Sequence, residues 1–294
     1  MDTNRFATDS PWPGLRNQPE IVRMLDNIGA AALWLRDVPL YDPGFGDVGQ
    51  VFDPLVYAGW LAALTRRIAI GTAGIVLPLR DPIITAKQAA STDQLLNGRF
   101  LTGLASGDRD KEYPAVGSDY ANRADRYREA LGVLRSVLRD DFPRFQTTYY
   151  GDFDGGLDLI PKPAQGLPLL AIGRAGQSLD WLAGNVDGWI WHGLDARRMA
   201  AIVPRWRELT SDPGFKPYGY GTLFDLDSDA DAPLETSGRV LQGGRHALTE
   251  FLAHQREAGV NHVILNLKPT RRAALEVLEE MGKYVIPEFR VAGR

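Results

Sequence analysis

Apolar residues along the chain fall into two regimes: short unbroken runs, and longer stretches in which they recur every three or four positions. The first regime reads as buried strand and the second as a helix with one apolar face. Strand runs occupy residues 31–35, 68–77, 99–104, 168–173, 187–191, 218–226 and 260–267. Helical spacing joins Ile21, Met24, Leu25 and Ile28, and later Tyr120, Ala124, Tyr127, Leu131, Leu134 and Leu138. It returns at Leu248, Phe251, Leu252 and Ala258, and in a closing helix at Ala274, Leu275, Leu278 and Val285. Strands alternating with helices predict an α/β fold around a parallel sheet. Periodicity alone leaves a closed barrel and an open doubly wound sheet equally open.

Residues 67–107 carry the densest local signals. Ile68, Ile70, Ile75, Val76 and Leu77 supply strand-forming bulk, broken by Gly71-Thr72-Ala73-Gly74. Small residues weaken a strand unless something must approach the backbone closely. Pro82 opens a helix where its missing N–H costs nothing. That helix ends near Leu96 at Asn97-Gly98, a pair suited to a left-handed cap. The strand over 99–104 follows, with Ser106-Gly107-Asp108 at its C-terminal end. Two strands joined by a helix, too far apart for a hairpin, make a βαβ unit with parallel strands.

Other regions carry turn chemistry. Arg5-Phe6-Ala7-Thr8 offers a first strand, but Pro11, Pro13 and Gly14 end it at once, so that strand is expected to be stunted or missing. A barrel without it would leave two strand edges unpaired. Residues 41–50 form a Gly- and Asp-rich loop, and Asp53-Pro54 then starts a helix with an N-cap residue and Pro in the first turn. Residues 140–167, with Pro161 and Pro163, read as an irregular excursion with at most short strands. A helix is expected over 177–185, and residues 227–241 read as an acidic loop.

Composition narrows the function. With 294 residues, 44% of them hydrophobic, the chain has material for a sizeable core and is read as one domain over 1–294. A net charge of −4 argues against a nucleic-acid surface. No apolar run is long enough to span a bilayer and the N-terminus lacks a signal-peptide core, so a soluble cytoplasmic protein is expected. The absence of cysteine excludes disulfides, thiolate metal sites, Fe–S clusters and a cysteine nucleophile together. No His, Asp and Glu spacing compels a metal.

The run Gly71-Thr72-Ala73-Gly74-Ile75-Val76-Leu77-Pro78, followed by Asp81-Pro82 and Leu95-Leu96-Asn97-Gly98-Arg99-Phe100, resembles the bacterial luciferase-like family. Members of that family are TIM-barrel flavin-dependent oxidoreductases. The match continues through Gly103 to Gly107, Glu112-Tyr113 and the helix from Tyr120, and more thinly to Asn266. The resemblance implies a TIM (β/α)8 barrel, which places ligands at the C-terminal ends of its strands. Arg36-Asp37, Thr72 to Gly74, Ala105 to Gly107, Gly173-Arg174, Trp191-His192 and Asn266 stand at such ends.

The resemblance also assigns roles. It implies a non-prolyl cis peptide between Ala73 and Gly74 beneath a flavin ring, although the residues themselves fit a β-bulge as well. Thr72, Ala73, Gly74 and Ala105 would leave room for the ring, and Ser106, Gly107, Arg174 and Ser178 would hold the polar end. The loop Gly173-Arg174-Ala175-Gly176-Gln177-Ser178 would receive the FMN phosphate at a helix N-terminus, although helix capping explains the same residues. Light-emitting relatives place an Arg where this chain has Ser106 and a Glu where it has Arg174. Arg174 is therefore expected to have taken over the phosphate's charge, with Arg109 as the rival donor. His192 would donate to a flavin carbonyl or a bound oxygen species, or else stand at the rim bonded to backbone or water. His262 is read as structural. Light-emitting members also carry Glu-His-His near the end of the second strand, where this chain reads Leu35-Arg36-Asp37-Val38-Pro39. Light from a long-chain aldehyde is not expected, and Arg36 and Asp37 bind substrate or form a local ion pair.

The function this implies is an FMN-dependent monooxygenase. It would take reduced FMN from a separate flavin reductase and use O2 on a small organic substrate. An F420-dependent dehydrogenase of the same fold is the alternative, and a flavin-binding barrel without turnover is another. The loops at 41–50, 108–118 and 227–241 would choose the substrate. Relatives often form a homodimer, for which the helix over 120–138 is the candidate face.

Overall fold

The computed structural model describes residues 17–42, 52–192, 195–211, 214–237 and 239–290. The first strand expected near Arg5, and the loop at 41–50 beyond Asp42, lie outside the described residues. Helix α1 (Gln18–Ile28) ends at Gly29, which adopts φ 78° and returns its N–H to the Leu25 carbonyl. Strand β1 (Ala32–Leu35) follows. Helix α2 (Pro54–Ala62) begins as its sequence dictates, with the Asp53 carboxylate accepting the N–H groups of Leu55 and Val56. The interrupted strand is two strands, β2 (Ala69–Thr72) and β3 (Ile75–Val76), with Gly74 at φ 104° between them.

Asp81 caps α3 (Pro82–Leu95), and the chain leaves that helix through Asn97 and Gly98, both left-handed. Strand β4 (Phe100–Ala105), the short α4 (Glu112–Ala115) and α5 (Arg123–Arg139) complete this stretch. The excursion holds a hairpin, β5 (Arg144–Gln146) with β6 (Asp152–Asp154), on which Phe145 and Phe153 stack at 5.3 Å. Then come β7 (Leu169–Ile172), α6 (Leu179–Asn185), β8 (Gly188–Trp191), α7 (Val203–Leu209) and β9 (Tyr218–Leu226). Where an acidic loop is expected, β10 (Glu235–Ser237) and β11 (Val240–Gly243) form a second hairpin. Its apolar pair, Val240 and Leu241, is too short a run to register as a strand by periodicity. Helix α8 (Arg245–Glu257), β12 (His262–Asn266) and α9 (Ala274–Glu280) follow.

The chain divides into two compact units. One comprises residues 34–63 and 69–182. Here β2 pairs in parallel with β4, Ile70 opposite Phe100, and β3 continues the same edge, Val76 opposite Ala105. On its other edge β4 pairs in parallel with β7, Leu104 opposite Ala171. Helix α3 packs on β4 and α5 packs on α3. The stripe Tyr127, Leu131, Leu134 and Leu138 is buried inside this unit, each leucine contributing about 2 kcal/mol. The apolar side of α5 is thus covered within this unit. Tyr120 lies in the turn before α5 and meets Tyr113 edge to face at 5.2 Å.

The other unit contains residues 17–33, 64–68 and those from 183 onward. Strand β9 is its centre, with parallel neighbours β8 on one side (Trp189 opposite Tyr218) and β12 on the other (His262 opposite Gly219). Strand β11 lies along the C-terminal half of β9, Val240 opposite Leu223. Helices α1 and α9 pack through Ile21, Ala274 and Leu278. Asp26 locks α1 to residues 66–68, accepting the N–H groups of Arg66, Arg67 and Ile68 at 3.1, 2.8 and 2.8 Å. Burial alone would raise its pKa, but these donors outweigh it and hold the carboxyl below the usual range. Parallel strands joined by helices in both units bear out the α/β expectation. No described helix is long and apolar enough to cross a membrane.

Candidate active site

Within residues 34–182, glycine shapes the C-terminal ends of the strands. The Trp34 indole lies against Gly71, where a Cβ would be 2.6 Å from the ring. Gly103 presses on the Thr72 carbonyl so closely that no side chain fits. A Cβ on Gly74 would lie 2.9 Å from that of Ala105 and 3.5 Å from Ile172, and one on Gly107 would lie 2.6 Å from Val76. These absences let the ends of β2, β3, β4 and β7 converge, with the partly exposed Ala73, Ala105 and Gly107 above the buried strands.

One expectation changes here. The Ala73–Gly74 peptide is trans, since the cis peptide among the described residues is Ile160–Pro161. The positive φ of Gly74 makes the bend, and the Ala73 N–H reaches the Leu35 carbonyl at 2.5 Å. The Thr72 hydroxyl is engaged within the sheet. Its Oγ1 donates to the Gly103 carbonyl at 2.8 Å and accepts the Gly103 N–H at 2.9 Å, fully buried, so it rivets β2 to β4.

Of the two expectations for Asp37, substrate contact or ion pair, the structure shows an ion pair. Its carboxylate is buried and accepts the Val76 N–H at 2.9 Å. Arg80 donates to both its oxygens, Nε at 3.0 Å and Nη2 at 2.7 Å, and also reaches Asp53 at 2.8 Å. The ion pair is therefore with a residue 43 positions away rather than with Arg36. Burial favours the neutral form of Asp53, but the Arg80 hydrogen bond and charge overcome it and keep that pKa below the usual range. Arg36 is partly buried beside this network. Arg80 was missed because a lone Arg between Leu79 and Asp81 carries no pattern.

Beyond β4, Ser106 is buried and its carbonyl accepts the Tyr113 hydroxyl. Arg109 and Glu112 are also buried, 3.7 Å apart. Burial pushes the Glu112 pKa up, Arg109 and the Leu40 N–H pull it back, and the Asp37 and Asp108 charges add to the rise. Arg109, the rival phosphate donor, donates from Nη1 to the Leu40 carbonyl at 3.2 Å in the loop after β1. Glu112-Tyr113 was legible only as part of a family resemblance.

The loop after β7 is strongly bent, with Gly173, Ala175 and Gly176 all at positive φ. Gln177 is buried and satisfied within the protein: its amide donates to Ala124 and Ala175 carbonyls at 3.0 and 2.9 Å and accepts from Arg128. It ties this loop to α5, and its backbone N–H donates to the Arg174 carbonyl at 2.8 Å. Ser178 caps α6, accepting the Trp181 N–H at 3.1 Å. Arg174 is exposed. His192, exposed after β8, belongs to the other unit. His262 is pushed down to a pKa of about 4 by burial, which suits a structural residue. Among the described residues no group of His, Asp and Glu could hold a metal ion.

A family model described as luciferase-like monooxygenase matches residues 1–235. The 4-hydroxyprotoasukamycin monooxygenase of Streptomyces nodosus subsp. asukaensis is 31% identical over 162 residues, covering 55% of this chain and 42% of that protein. The chain spans about half the length of the curated relatives it matches. Among solved structures, monooxygenase RslO1 from Streptomyces bottropensis superposes with a TM-score of 0.80 at 15% identity, covering 96% of this chain and 95% of that one. An F420-dependent secondary alcohol dehydrogenase, in complex with an F420–acetone adduct, superposes with a TM-score of 0.75 at 18% identity, covering 94% and 95%. At such identities the likeness is one of fold, the TIM-barrel type.

Proposed function

We propose, because the chain belongs to the luciferase-like monooxygenase family, that it is an oxidoreductase whose cofactor is FMN, seated over the strand ends of residues 34–182. The observation that carries this reading is the cradle at Gly74, where an added Cβ would lie 2.9 Å from Ala105 and 3.5 Å from Ile172. A flat ring needs such a floor of small residues, and the groups present fit it. Ala73, Gly74 and Ala105 would lie beneath the ring, Ser106 and Gly107 at its edge, and Gly173, Arg174, Ala175 and Ser178 around the phosphate.

Bound and reduced, the flavin supplies the electrons with which O2 gives one oxygen atom to a small organic substrate and the other to water. The protein's own part is placement. The Thr72 rivet and the Asp37–Arg80 pair hold β1, β2 and β4 in register, and the buried strands below the floor exclude water. Tyr113 fixes the Ser106 carbonyl at the edge. Arg174, exposed on a loop bent by three positive φ angles, meets the phosphate. A separate reductase supplies the reduced flavin.

Titration with FMN and with F420, followed by flavin fluorescence, tests the reading. FMN is expected to bind and F420 not; F420 binding without FMN would replace oxygen transfer by hydride transfer. Arg174→Ala is expected to weaken FMN about ten- to a hundredfold, the equivalent of about 1.5–3 kcal/mol for a charge-assisted contact. Riboflavin, which lacks the phosphate, should bind both proteins equally. Unchanged FMN affinity in the variant would remove Arg174 from the site.

A further inference from the structure

The loop after β1 turns two large apolar side chains outward while charged groups hold its backbone from beneath. Leu40 and Tyr41 are 49% and 57% exposed, whereas Arg109 and Glu112 are 6% and 5% exposed. Arg109 Nη1 donates to the Leu40 carbonyl at 3.2 Å, and the Glu112 carboxylate accepts the Leu40 N–H. One buried ion pair thus takes both backbone groups of a single residue, 69 positions from Arg109. Lys111 adds a bond to Asp42 at 3.1 Å, and Asp37 ties the start of the loop to Val76 at 2.9 Å.

Water could satisfy the backbone of so exposed a residue, and burying two charges costs several kcal/mol that apolar packing would avoid. What the pair adds is a fixed position. The loop runs from Val76, the last residue of β3, to Arg109 beyond β4, and Val76 lies opposite Ala105 in the β3–β4 pairing. The loop is therefore anchored at Val76, two residues beyond Gly74, and at Arg109, four residues beyond Ala105.

We propose that Arg109 and Glu112 are positioning residues that act through the Leu40 backbone. They hold residues 38–42 as an apolar cover, and Leu40 and Tyr41 pack on the ring of the bound flavin. The proposal rests on the flavin reading for the occupant, while the clamp itself stands on the contacts above.

Hydrogen exchange read at single amides, together with flavin titrations of the full chain, tests it. In Glu112→Ala the Leu40 and Tyr41 amides should exchange about tenfold faster or more, with Leu104 and Ala171 at wild-type rates. FMN and riboflavin should both bind that variant about tenfold more weakly, because a ring contact and not a phosphate contact is lost. Glu112→Gln, which keeps an acceptor for the Leu40 N–H, should fall between. If Leu104 accelerates together with Leu40, the pair merely stabilises the fold and the proposal fails. It fails also if Leu40 exchange is unchanged, or if the loop loosens while both flavins keep their affinity. Should wild type bind neither flavin, the flavin reading and the cover fall together, and the exchange rates still decide whether the pair clamps the loop.

Discussion

Gly74 combines φ 104° with a missing Cβ that would overlap Ala105, so any side chain there meets strain and crowding together. Gly74→Val is expected to lower stability by about 2–3 kcal/mol, in addition to weakening FMN. Denaturant unfolding and flavin titration of the same variant check both halves, and an unchanged unfolding midpoint would show that the backbone relaxes freely. Asp37 makes the complementary point. A carboxylate at a strand end looks like an acid or a substrate contact until its oxygens are counted, and here Val76 and Arg80 occupy them.

Strand β12 begins at a partly buried histidine opposite Gly219, whose added Cβ would lie 3.0 Å from that of His262. With its pKa depressed to about 4 by burial, His262 stays neutral in the fold, while the unfolded chain binds a proton near pH 6.5. Its contribution is therefore complete above pH 6.5 and is lost as the pH falls toward 4, at up to about 1.4 kcal/mol per pH unit. Urea unfolding at pH 7 and pH 5 should show a larger loss for wild type than for His262→Gln. Equal losses would mean that the imidazole is reached by water in the folded state. Other elements show how packing overrides a local reading. Val240 and Leu241 became strand β11 only because the C-terminal half of β9 offered an edge to pair with.

For the whole molecule, membership of the luciferase-like family raises the question of light. The end of β1 carries Arg36 and Asp37 where light-emitting relatives are expected to carry histidines, and Asp37 is locked to Arg80. Reduced FMN, O2 and a long-chain aldehyde are expected to give no emission above a flavin-only control. Sustained light in a luminometer would show that emission does not need a histidine at this strand end.

Order, type and approximate ends of most elements were legible in the residues, because helix periodicity, N-caps and left-handed stops act over one to four positions. Asp53-Pro54, Pro82 and Asn97-Gly98 each did what local chemistry requires. The cluster of small residues at 71–74 was visible as well, though not the trans peptide within it. Partners were not visible. Asp37 finds Arg80 across 43 positions, Asp26 finds Ile68 across 42, and Arg109 finds Leu40 across 69. No spacing rule reaches that far. A charged residue has the same sequence signature whether it faces water, a ligand or a buried counter-ion, and only the folded chain, by removing water from one side of it, selects among them.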